Sequence, residues 1–209
     1  MKLLFATKNP AKVNTYKDKL KKHNIDIFCS KDIDIVVKVE ETGKDAIENA
    51  KIKAKAYYDA TGIVSMGIDD NLYIEGIPDE KQPGTHVRRV DGKELSDEEM
   101  ISHYSMLVKD SGKDRLLAKW IYGIAIYDGK EFKTHTWDKK SFYLVAEPSE
   151  KRNPGYPLDS ISIDAKLEKY FVDIDKNEKD SISSDNSLYC FRHEFMQAKR
   201  QDKRCRRYQ

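Results

Sequence analysis

The chain begins with an apolar run that passes directly into a polar turn, KLLFATKNPAK at residues 2–12. Residues 2–7 have the apolar character of a buried strand. Pro10 suits the first turn of a following helix, because proline lacks the amide hydrogen that a helix leaves unbonded there. Apolar side chains then recur at helical spacing as far as Lys22. The stretch therefore predicts a strand, a polar turn and a helix.

Strands and helices are predicted to alternate through the first half of the chain. Gly62 follows a helical apolar pattern, and glycine commonly ends a helix because it adopts the left-handed conformation easily. The elements predicted after the first helix are strands at 26–29 and 33–39, a helix at 45–60, and segments at 63–69 and 71–77 that form two strands or one long bent strand.

The second half is predicted to contain a helix and an antiparallel hairpin. Ser96 and Glu99 have the spacing of a capping box, which opens a helix that runs to Lys109. Asp128-Gly129 separates two long alternating runs, as in a tight hairpin. The other predicted features are loops at 78–94 and 146–157, hairpin strands at 116–127 and 131–145, a strand at 160–163 and a helix at 185–199. Together, these elements predict an α/β fold, a long mixed β-sheet with flanking helices.

The charge balance limits the classes of protein that the chain can belong to. Its 209 residues include 38 Lys or Arg and 36 Asp or Glu, which gives a net charge of +2. This balance argues against a dedicated nucleic-acid binder, which would carry a large positive excess. We expect a single domain over residues 1–198. The basic residues of 199–209 are expected to form a frayed, solvated tail, with a phosphate or nucleic-acid contact as the alternative.

Membrane insertion and secretion are not expected. No apolar run approaches the roughly 18 residues that cross a bilayer, and the apolar patch at the N-terminus is too short for a signal peptide. The three cysteines, Cys29, Cys190 and Cys205, fit neither a disulfide framework nor a zinc site. We therefore expect a protein of a reducing compartment, the cytoplasm.

The turn after the first strand is the first candidate for a binding site. Thr7, Asn9 and Lys12 place a hydroxyl, an amide and an ammonium group where a strand meets a helix N-terminus. Backbone amides at such a terminus favour phosphate, and three side chains at this spacing could clamp a polyphosphate. The alternative is an ordinary N-cap and turn. The stretch lacks the glycine-rich loop of a P-loop nucleotide hydrolase.

Acidic residues supply two further candidates. Glu40 and Glu41 precede the second helix, which carries Lys53, and their ordinary role would be to complement the helix dipole. Asp69 and Asp70 end an apolar strand, and a cation would relieve the repulsion between their carboxylates. Oxygen ligands select Mg²⁺ or Mn²⁺, while the alternative here is an ordinary acidic turn.

Taken together, these segments resemble the inosine/xanthosine triphosphate pyrophosphatases, the Ham1-like family. Four motifs appear in the family's order and at nearly its spacing: the turn at 7–12, Glu41-Thr42-Gly43, Glu48-Asn49-Ala50 with Lys53-Ala54, and Asp69-Asp70. Pro83-Gly84 and Arg88 resemble the loop that follows in the family. After the aspartate pair, Asn71 and Leu72 replace the family's serine and glycine.

The second half resembles the family less closely. Residues 153–159, Asn-Pro-Gly-Tyr-Pro-Leu-Asp, resemble the family's Phe-Gly-Tyr-Asp base-binding loop, with Pro154 in place of the aromatic residue. Lys179 resembles the family's base-reading lysine. The His-Arg pair that follows this lysine in the family is replaced by Ser184-Asp185.

The resemblance implies a long mixed sheet that forms two lobes around a central cleft, in a homodimer. It implies an enzyme that uses Mg²⁺, or Mn²⁺ in its place, to hydrolyse deaminated purine nucleoside triphosphates (ITP, dITP, XTP) to the monophosphate and pyrophosphate. Asp70 and Lys53 would be catalytic. The implied metal-binding residues are Glu41, Asp69 and Asp70, and the implied substrate-binding residues are Thr7, Asn9, Lys12, Lys53, Asn71, Gly155, Tyr156, Asp159 and Lys179.

A second interpretation is a nucleotide-binding sensor, or a subunit of a larger complex, that keeps the fold and the phosphate site but turns over slowly. The altered base loop and the missing His-Arg pair favour this interpretation. The retention of Glu41, Lys53 and Asp70 favours the enzyme, because a pure binding protein has less need of a base beside a metal.

Overall fold

The computed structural model of the chain describes residues 2–22, 24–138, 141–175 and 177–178. The predicted helix at 185–199, the basic tail at 199–209 and Lys179 lie outside these residues. The described part of the chain contains strands β1 (Lys2–Phe5), β2 (Asp26–Cys29), β3 (Ser65–Ile74), β4 (Arg89–Val90), β5 (Lys93–Glu94), β6 (Arg115–Tyr127), β7 (Phe132–Asp138), β8 (Phe142–Val145) and β9 (Ser162–Asp164), and helices α1 (Pro10–Lys21), α2 (Ala46–Thr61) and α3 (Asp97–Asp110).

A seven-stranded mixed sheet forms the centre of the fold. β1 pairs in parallel with β2 on one side and with β3 on the other. The strand order is β2-β1-β3-β6-β8-β9, with β7 also paired to β6, and the pairings beyond β3 are antiparallel. The predicted mixed α/β sheet is therefore confirmed.

The helices begin and end at the predicted signals. Asp45 caps α2 by accepting a hydrogen bond from the amide of Glu48 at 2.8 Å, and Gly62 ends this helix with a φ of 67°. Ser96 and Glu99 form the predicted capping box at the start of α3. None of the described helices is long and apolar enough to span a membrane.

The predicted strand at 33–39 is wrong. The structure describes all seven of these residues, and it places a 3-10 turn at Ser30–Ile33 instead of a strand. Asp34 follows with a φ of 51°, a left-handed conformation that interrupts an extended chain. Val37 is nevertheless buried beside β1. The apolar residues of this segment therefore pack against the sheet without pairing with it.

Two other predicted segments form a different number of strands in the structure or settle an open alternative. The segment at 63–77 forms one strand, β3, which was one of the two predicted alternatives. The run at 131–145 forms two strands instead of one, because β7 pairs with residues 121–127 of β6 and β8 pairs with residues 115–118.

Small residues allow α2 to lie directly on one face of the sheet. A Cβ atom added at Gly67 would lie 2.1 Å from the backbone oxygen of Ala50. One added at Gly123, on the neighbouring strand, would lie 2.6 Å from the backbone carbonyl carbon of Ala46. The backbone of α2 therefore touches β3 and β6 with no side chain between them.

The opposite face of β3 is covered by two helices at different places. Met66 and Ile68 pack in a hydrophobic cluster with side chains of α1, whereas Leu72 and Ile74 pack in a cluster with side chains of α3. Because side chains alternate along a strand, Asp70 lies on this face between the two clusters. The two clusters agree with the two expected lobes, and Asp70 marks where they meet.

Gly67→Ala is expected to destabilise the fold, because the added methyl group would meet a helix backbone oxygen that cannot turn away. Overpacking of this kind typically costs about 1–3 kcal/mol, which chemical denaturation would measure. Gly92→Ala is the control: its added Cβ has nothing within 4 Å, and only the φ of 78° penalises it. A loss at Gly67 no larger than the loss at Gly92 would contradict the close approach of α2.

Candidate functional site

The order of the strands creates a crevice beside the end of β1. From β1 the chain passes through α1 to β2 on one side, and then through α2 to β3 on the other side. Open α/β sheets bind ligands beyond the carboxyl ends of their strands at such a switch point. The pairing of β1 with β3 ends at Met66, so the next residues of β3 border this crevice.

Side-chain hydrogen bonds shape the turn between β1 and α1. The amide of Asn9 donates to Thr7 Oγ1 at 3.2 Å, and the amide of Lys12 donates to Asn9 Oδ1 at 3.4 Å. The three predicted residues of this turn therefore lie together at the N-terminus of α1. An anion is favoured there by the helix dipole and by the amides of the first turn.

Two lysines pair with the three carboxylates that were predicted to bind metal. Lys12 forms a hydrogen-bonded ion pair with Asp70. Lys53 Nζ lies 2.9 Å from Asp69 Oδ1 and 3.2 Å from Glu41 Oε2. The structure thus brings together five predicted residues from α1, α2, β3 and the loop before α2.

Most of these paired groups are shielded from solvent: Asp69 is buried and Lys12, Lys53 and Asp70 are half-buried, whereas Glu41 is exposed. Burial raises the pKa of Asp69 by more than the charges of Lys53 and Lys12 lower it, so that its pKa lies above the ordinary value. Burial alone would lower the pKa of Lys12, but the charges of Asp70 and Asp69 outweigh it and the pKa is raised. Lys12 therefore keeps its positive charge, and its carboxylate partners would be costly to leave unpaired.

The donor atoms of this cluster suit a hard divalent cation. Carboxylate oxygens are the ligands that Mg²⁺ and Mn²⁺ prefer. Asp69 Oδ2 is buried and has no hydrogen-bond partner among the described residues. Within the described part of the chain, however, no three acidic, histidine or cysteine side chains are arranged to hold a metal. Each of the three carboxylates is turned toward a lysine instead.

Asn49 holds the loop that carries Glu41. Its Oδ1 atom is buried and accepts a hydrogen bond from the amide of Gly43 at 2.8 Å. A Cβ atom added at Gly43 would lie 2.6 Å from the same oxygen, so this contact needs glycine. The motif at 48–50 therefore positions the motif at 41–43, a role that the sequence analysis did not assign to Asn49.

The loop at 153–159, predicted to bind the base, reaches from α3 to α1. The amide of Gly155 donates to Asp97 Oδ2 at 3.2 Å, at the first residue of α3. The hydroxyl of Tyr156 lies 3.0 Å from Thr15 Oγ1 on α1. This loop therefore bridges the two helices that flank Asp70.

Asp97 also joins a second loop to the start of α3. Its Oδ1 accepts a hydrogen bond from Arg88 Nη2 at 2.8 Å, and Arg88 belongs to the loop that follows Pro83-Gly84. Neither Asp97 nor Thr15 could be recognised from the sequence, because both lie outside the family motifs and their contacts join distant parts of the chain.

The remaining predicted residues occupy different surroundings. Asp159 braces its own loop by accepting a hydrogen bond from Asn153 Nδ2 at 2.7 Å. Asn71 shares the α2 face of β3 with Asp69, on the side opposite Asp70. Its Oδ1 is buried and has no hydrogen-bond partner in the described part of the chain.

Tyr122 is an aromatic neighbour of Asp70 that the sequence analysis did not single out. The two residues pair directly across β3 and β6. Tyr122 stacks on Trp137 with ring centres 5.2 Å apart. Burial, assisted by the charge of Asp70, raises the pKa of Tyr122 well above its ordinary value, so its hydroxyl stays protonated. The side chain that neighbours Asp70 on β6 is therefore aromatic and uncharged.

Fold and site together define an α/β protein with three carboxylates and two lysines paired at the switch point of its sheet. The chain belongs to the Ham1 family, which it matches over residues 3–186. This match confirms the resemblance found in the sequence.

Individual relatives agree with this assignment. A dITP/XTP pyrophosphatase of Dictyoglomus thermophilum is 33% identical over 183 residues, which cover 87% of each chain. One of Leptospira interrogans is 30% identical over 182 residues, which cover 87% of this chain and 89% of the relative. The Ham1 protein of Staphylococcus aureus has a similar fold, with a TM-score of 0.72 and 23% identity over 95% of this chain and all of that one.

We expect the stability contributed by Asp97 to depend on pH. Burial alone would raise its pKa, but the hydrogen bonds from Arg88 and the Gly155 amide outweigh burial and lower it. A lowered pKa in the folded state gives stability that is present above the ordinary carboxyl pKa and lost as pH falls through the folded value. Asp97→Asn should therefore cost at most about 1 kcal/mol at neutral pH, because the ion pair is partly exposed.

Chemical denaturation between about pH 3 and pH 7 would measure this difference, which should shrink toward the acid end. Asp110→Asn, at the exposed far end of the same helix, is the control. A loss of stability at Asp97→Asn that stays constant over the whole range would contradict the assignment.

Proposed function

We propose that the chain is a Mg²⁺-dependent nucleoside triphosphate pyrophosphatase. It would hydrolyse ITP, dITP and XTP to the monophosphate and pyrophosphate. Relatives that carry the name dITP/XTP pyrophosphatase support a hydrolase that acts on nucleotides. The observation that carries the proposal is the pairing of two lysines with three carboxylates at the switch point of the sheet.

The triphosphate would bind at the turn between β1 and α1. Lys12 and Lys53 would neutralise its charge as compact ammonium groups. Thr7 and Asn9 would orient the phosphate oxygens, beside amides at the N-terminus of α1. The hydrogen bonds that shape this turn support a site that is formed before the ligand arrives.

Glu41, Asp69 and Asp70 would hold the metal through their oxygen atoms. Bound Mg²⁺, or Mn²⁺ in its place, would supply positive charge that stabilises the reacting phosphate. The buried Asp69 Oδ2, with no hydrogen-bond partner among the described residues, supports this placement.

Asp70 would act as the general base. In the proposed reaction the oxygen of a water molecule bonds to the α-phosphorus, and its proton moves to the Asp70 carboxylate. The bond from the α-phosphorus to the bridging oxygen breaks, and pyrophosphate leaves. Lys12 and Lys53 would stabilise the negative charge of this leaving group.

The purine would lie toward the loop at 153–159. Gly155, Tyr156 and Asp159 belong to this loop, which Asp97 and Thr15 hold from two sides. Lys179, outside the described residues, would donate to the 6-oxo group. Asn71 would complete the substrate-binding set. A site that pairs with a 6-oxo acceptor discriminates against adenine, because the wrong base leaves polar groups unpaired.

A nucleotide-binding sensor or subunit with slow turnover is the second candidate. The replacement of the base-loop aromatic by Pro154, and of the His-Arg pair by Ser184-Asp185, favours it. For either function we propose a cytoplasmic homodimer with no membrane partner. The near balance of charge supports the absence of a dedicated nucleic-acid partner.

A screen of ATP, GTP, ITP, dITP and XTP with Mg²⁺, read as pyrophosphate release, tests the proposed activity. We expect efficient release from ITP, dITP and XTP and much less from ATP. Tight binding of these nucleotides without release would favour the sensor and contradict the enzyme.

Asp70→Asn is expected to lower kcat by more than about 10²-fold while nucleotide binding survives, because the amide keeps the shape of the carboxylate but is a poor base. Pyrophosphate release would give kcat, and calorimetry with a non-hydrolysable analogue would give Kd. Asp59→Asn, which removes an exposed carboxylate paired with Lys55, is the matched control. Turnover of Asp70→Asn close to that of the parent would remove Asp70 from the mechanism.

Lys53→Ala is expected to weaken the binding of every triphosphate by a similar factor, about tenfold or more. The reason is that the ammonium group of Lys53 would contact the phosphates and not the base. KM values for ITP, XTP and ATP would show this common factor. Lys55→Ala is the control, since Lys55 lies on the same helix but pairs with Asp59 at the surface. A change in base preference larger than the change in affinity would place Lys53 elsewhere.

A further inference from the structure

Every carboxylate of the proposed metal site is already held by an ammonium group. We propose that Lys12 and Lys53 are built-in counterions that keep a divalent cation off the acid cluster until a triphosphate takes their charge. Metal and triphosphate would then bind cooperatively, each by releasing the groups that the other needs. The inference rests on the proposed function and adds to it an order of events at the same site.

Lys53 occupies the space that a metal would need between two of the carboxylates. Its Nζ lies between two carboxylates from different elements, at 2.9 Å from Asp69 Oδ1 and 3.2 Å from Glu41 Oε2. A cation that bound both acids would have to share this space with the ammonium group. The lysine must therefore move before both carboxylates can face a metal.

Lys12 places the same restriction on the third carboxylate. It is hydrogen-bonded to Asp70, and both side chains are only about a fifth exposed, at 22% and 21%. Charges in such a partly buried site interact more strongly than charges in water. A divalent cation beside an unmoved Lys12 would therefore experience a strong repulsion.

The balance of charge explains why the free site would attract a metal cation only weakly. Three carboxylates face two ammonium groups, so the cluster retains a single formal negative charge to attract a cation. A triphosphate offers both lysines a new anionic partner, which frees the three carboxylates for the metal. Lys12 needs only a change of side-chain rotamer for this exchange, since its backbone already lies in the first turn of α1, beside Thr7 and Asn9.

The exchange has a thermodynamic consequence that a purely structural ion pair lacks. Removal of a lysine should strengthen metal binding to the free protein and weaken triphosphate binding. Both effects would arise from the same ammonium group, because it competes with the metal for the carboxylates and would bind the triphosphate. A lysine that only supports the fold would weaken both when removed.

The test uses Mn²⁺ as the metal probe and inorganic tripolyphosphate as the phosphate probe, each titrated alone into the full chain. Mn²⁺ binding would be followed by electron paramagnetic resonance and tripolyphosphate binding by calorimetry. For Lys12→Met and Lys53→Met we expect Mn²⁺ to bind about tenfold more tightly and tripolyphosphate about tenfold more weakly, the scale of one charge-assisted hydrogen bond.

Two control variants remove the same charge without touching the cluster. Lys17→Met lies on the exposed side of α1, and Lys55→Met lies on α2 beside Asp59. Both are expected to leave each affinity within about twofold of the parent, because exposed charges at a distance are screened by salt. Equal Mn²⁺ tightening in the controls would assign the effect to net charge and overturn the proposal.

Lys12→Gln is a second variant for the case in which Lys12→Met does not fold. Its amide can still donate a hydrogen bond to Asp70, but it carries no charge. It should also tighten Mn²⁺ binding, by less than Lys12→Met. Unchanged or weaker Mn²⁺ binding in the folded Lys12 and Lys53 variants would overturn the inference. Neither titration involves turnover, so the two proposals can fail separately. If the lysine variants bind Mn²⁺ more tightly but the nucleotide screen shows no pyrophosphate release, the proposed activity is rejected and the counterion role is supported.

Discussion

The close packing of α2 on the sheet is the constraint on which the site depends. Because Gly67 and Gly123 have no side chain, the helix backbone lies directly against β3 and β6. This approach brings Lys53 within hydrogen-bond distance of Asp69. A contact between small residues, with no chemistry of its own, thus sets the distances between the charged groups.

The fold could be predicted where its signals are local. Caps such as Asp45 and Ser96 act on amides three residues away, so their effect is visible in the sequence itself. The predicted strand at 33–39 is wrong because its alternating apolar residues pack against β1 without pairing with a strand. The left-handed conformation of Asp34 also interrupts the extended chain. Alternation reports burial, and it does not report which partner supplies it.

The sequence predicted which residues belong to the site, but it did not predict which of them contact each other. The motifs within 7–70 contain the charged groups, but which lysine would meet which carboxylate depends on how α1 and α2 cross the sheet. The bond between Asp97 and Gly155 joins residues 58 positions apart, and such a contact leaves no periodic pattern. Asn49 could have been found as a loop anchor, since an asparagine near the start of a helix often bonds a nearby backbone amide.

The loop at 153–159 is held through two neighbouring residues, the Gly155 amide bonded to Asp97 on α3 and the Tyr156 hydroxyl beside Thr15 on α1. Neither contact involves β3, the strand that carries Asp69 and Asp70. In the proposed function, the base would therefore be recognised through contacts separate from the ion pairs of Asp69 and Asp70. A substitution in the loop, such as the proline at 154, would then change which base is accepted while the ion pairs of Asp69 and Asp70 keep their geometry. A fold with this division would allow selectivity for the base to change without a change in the proposed reaction.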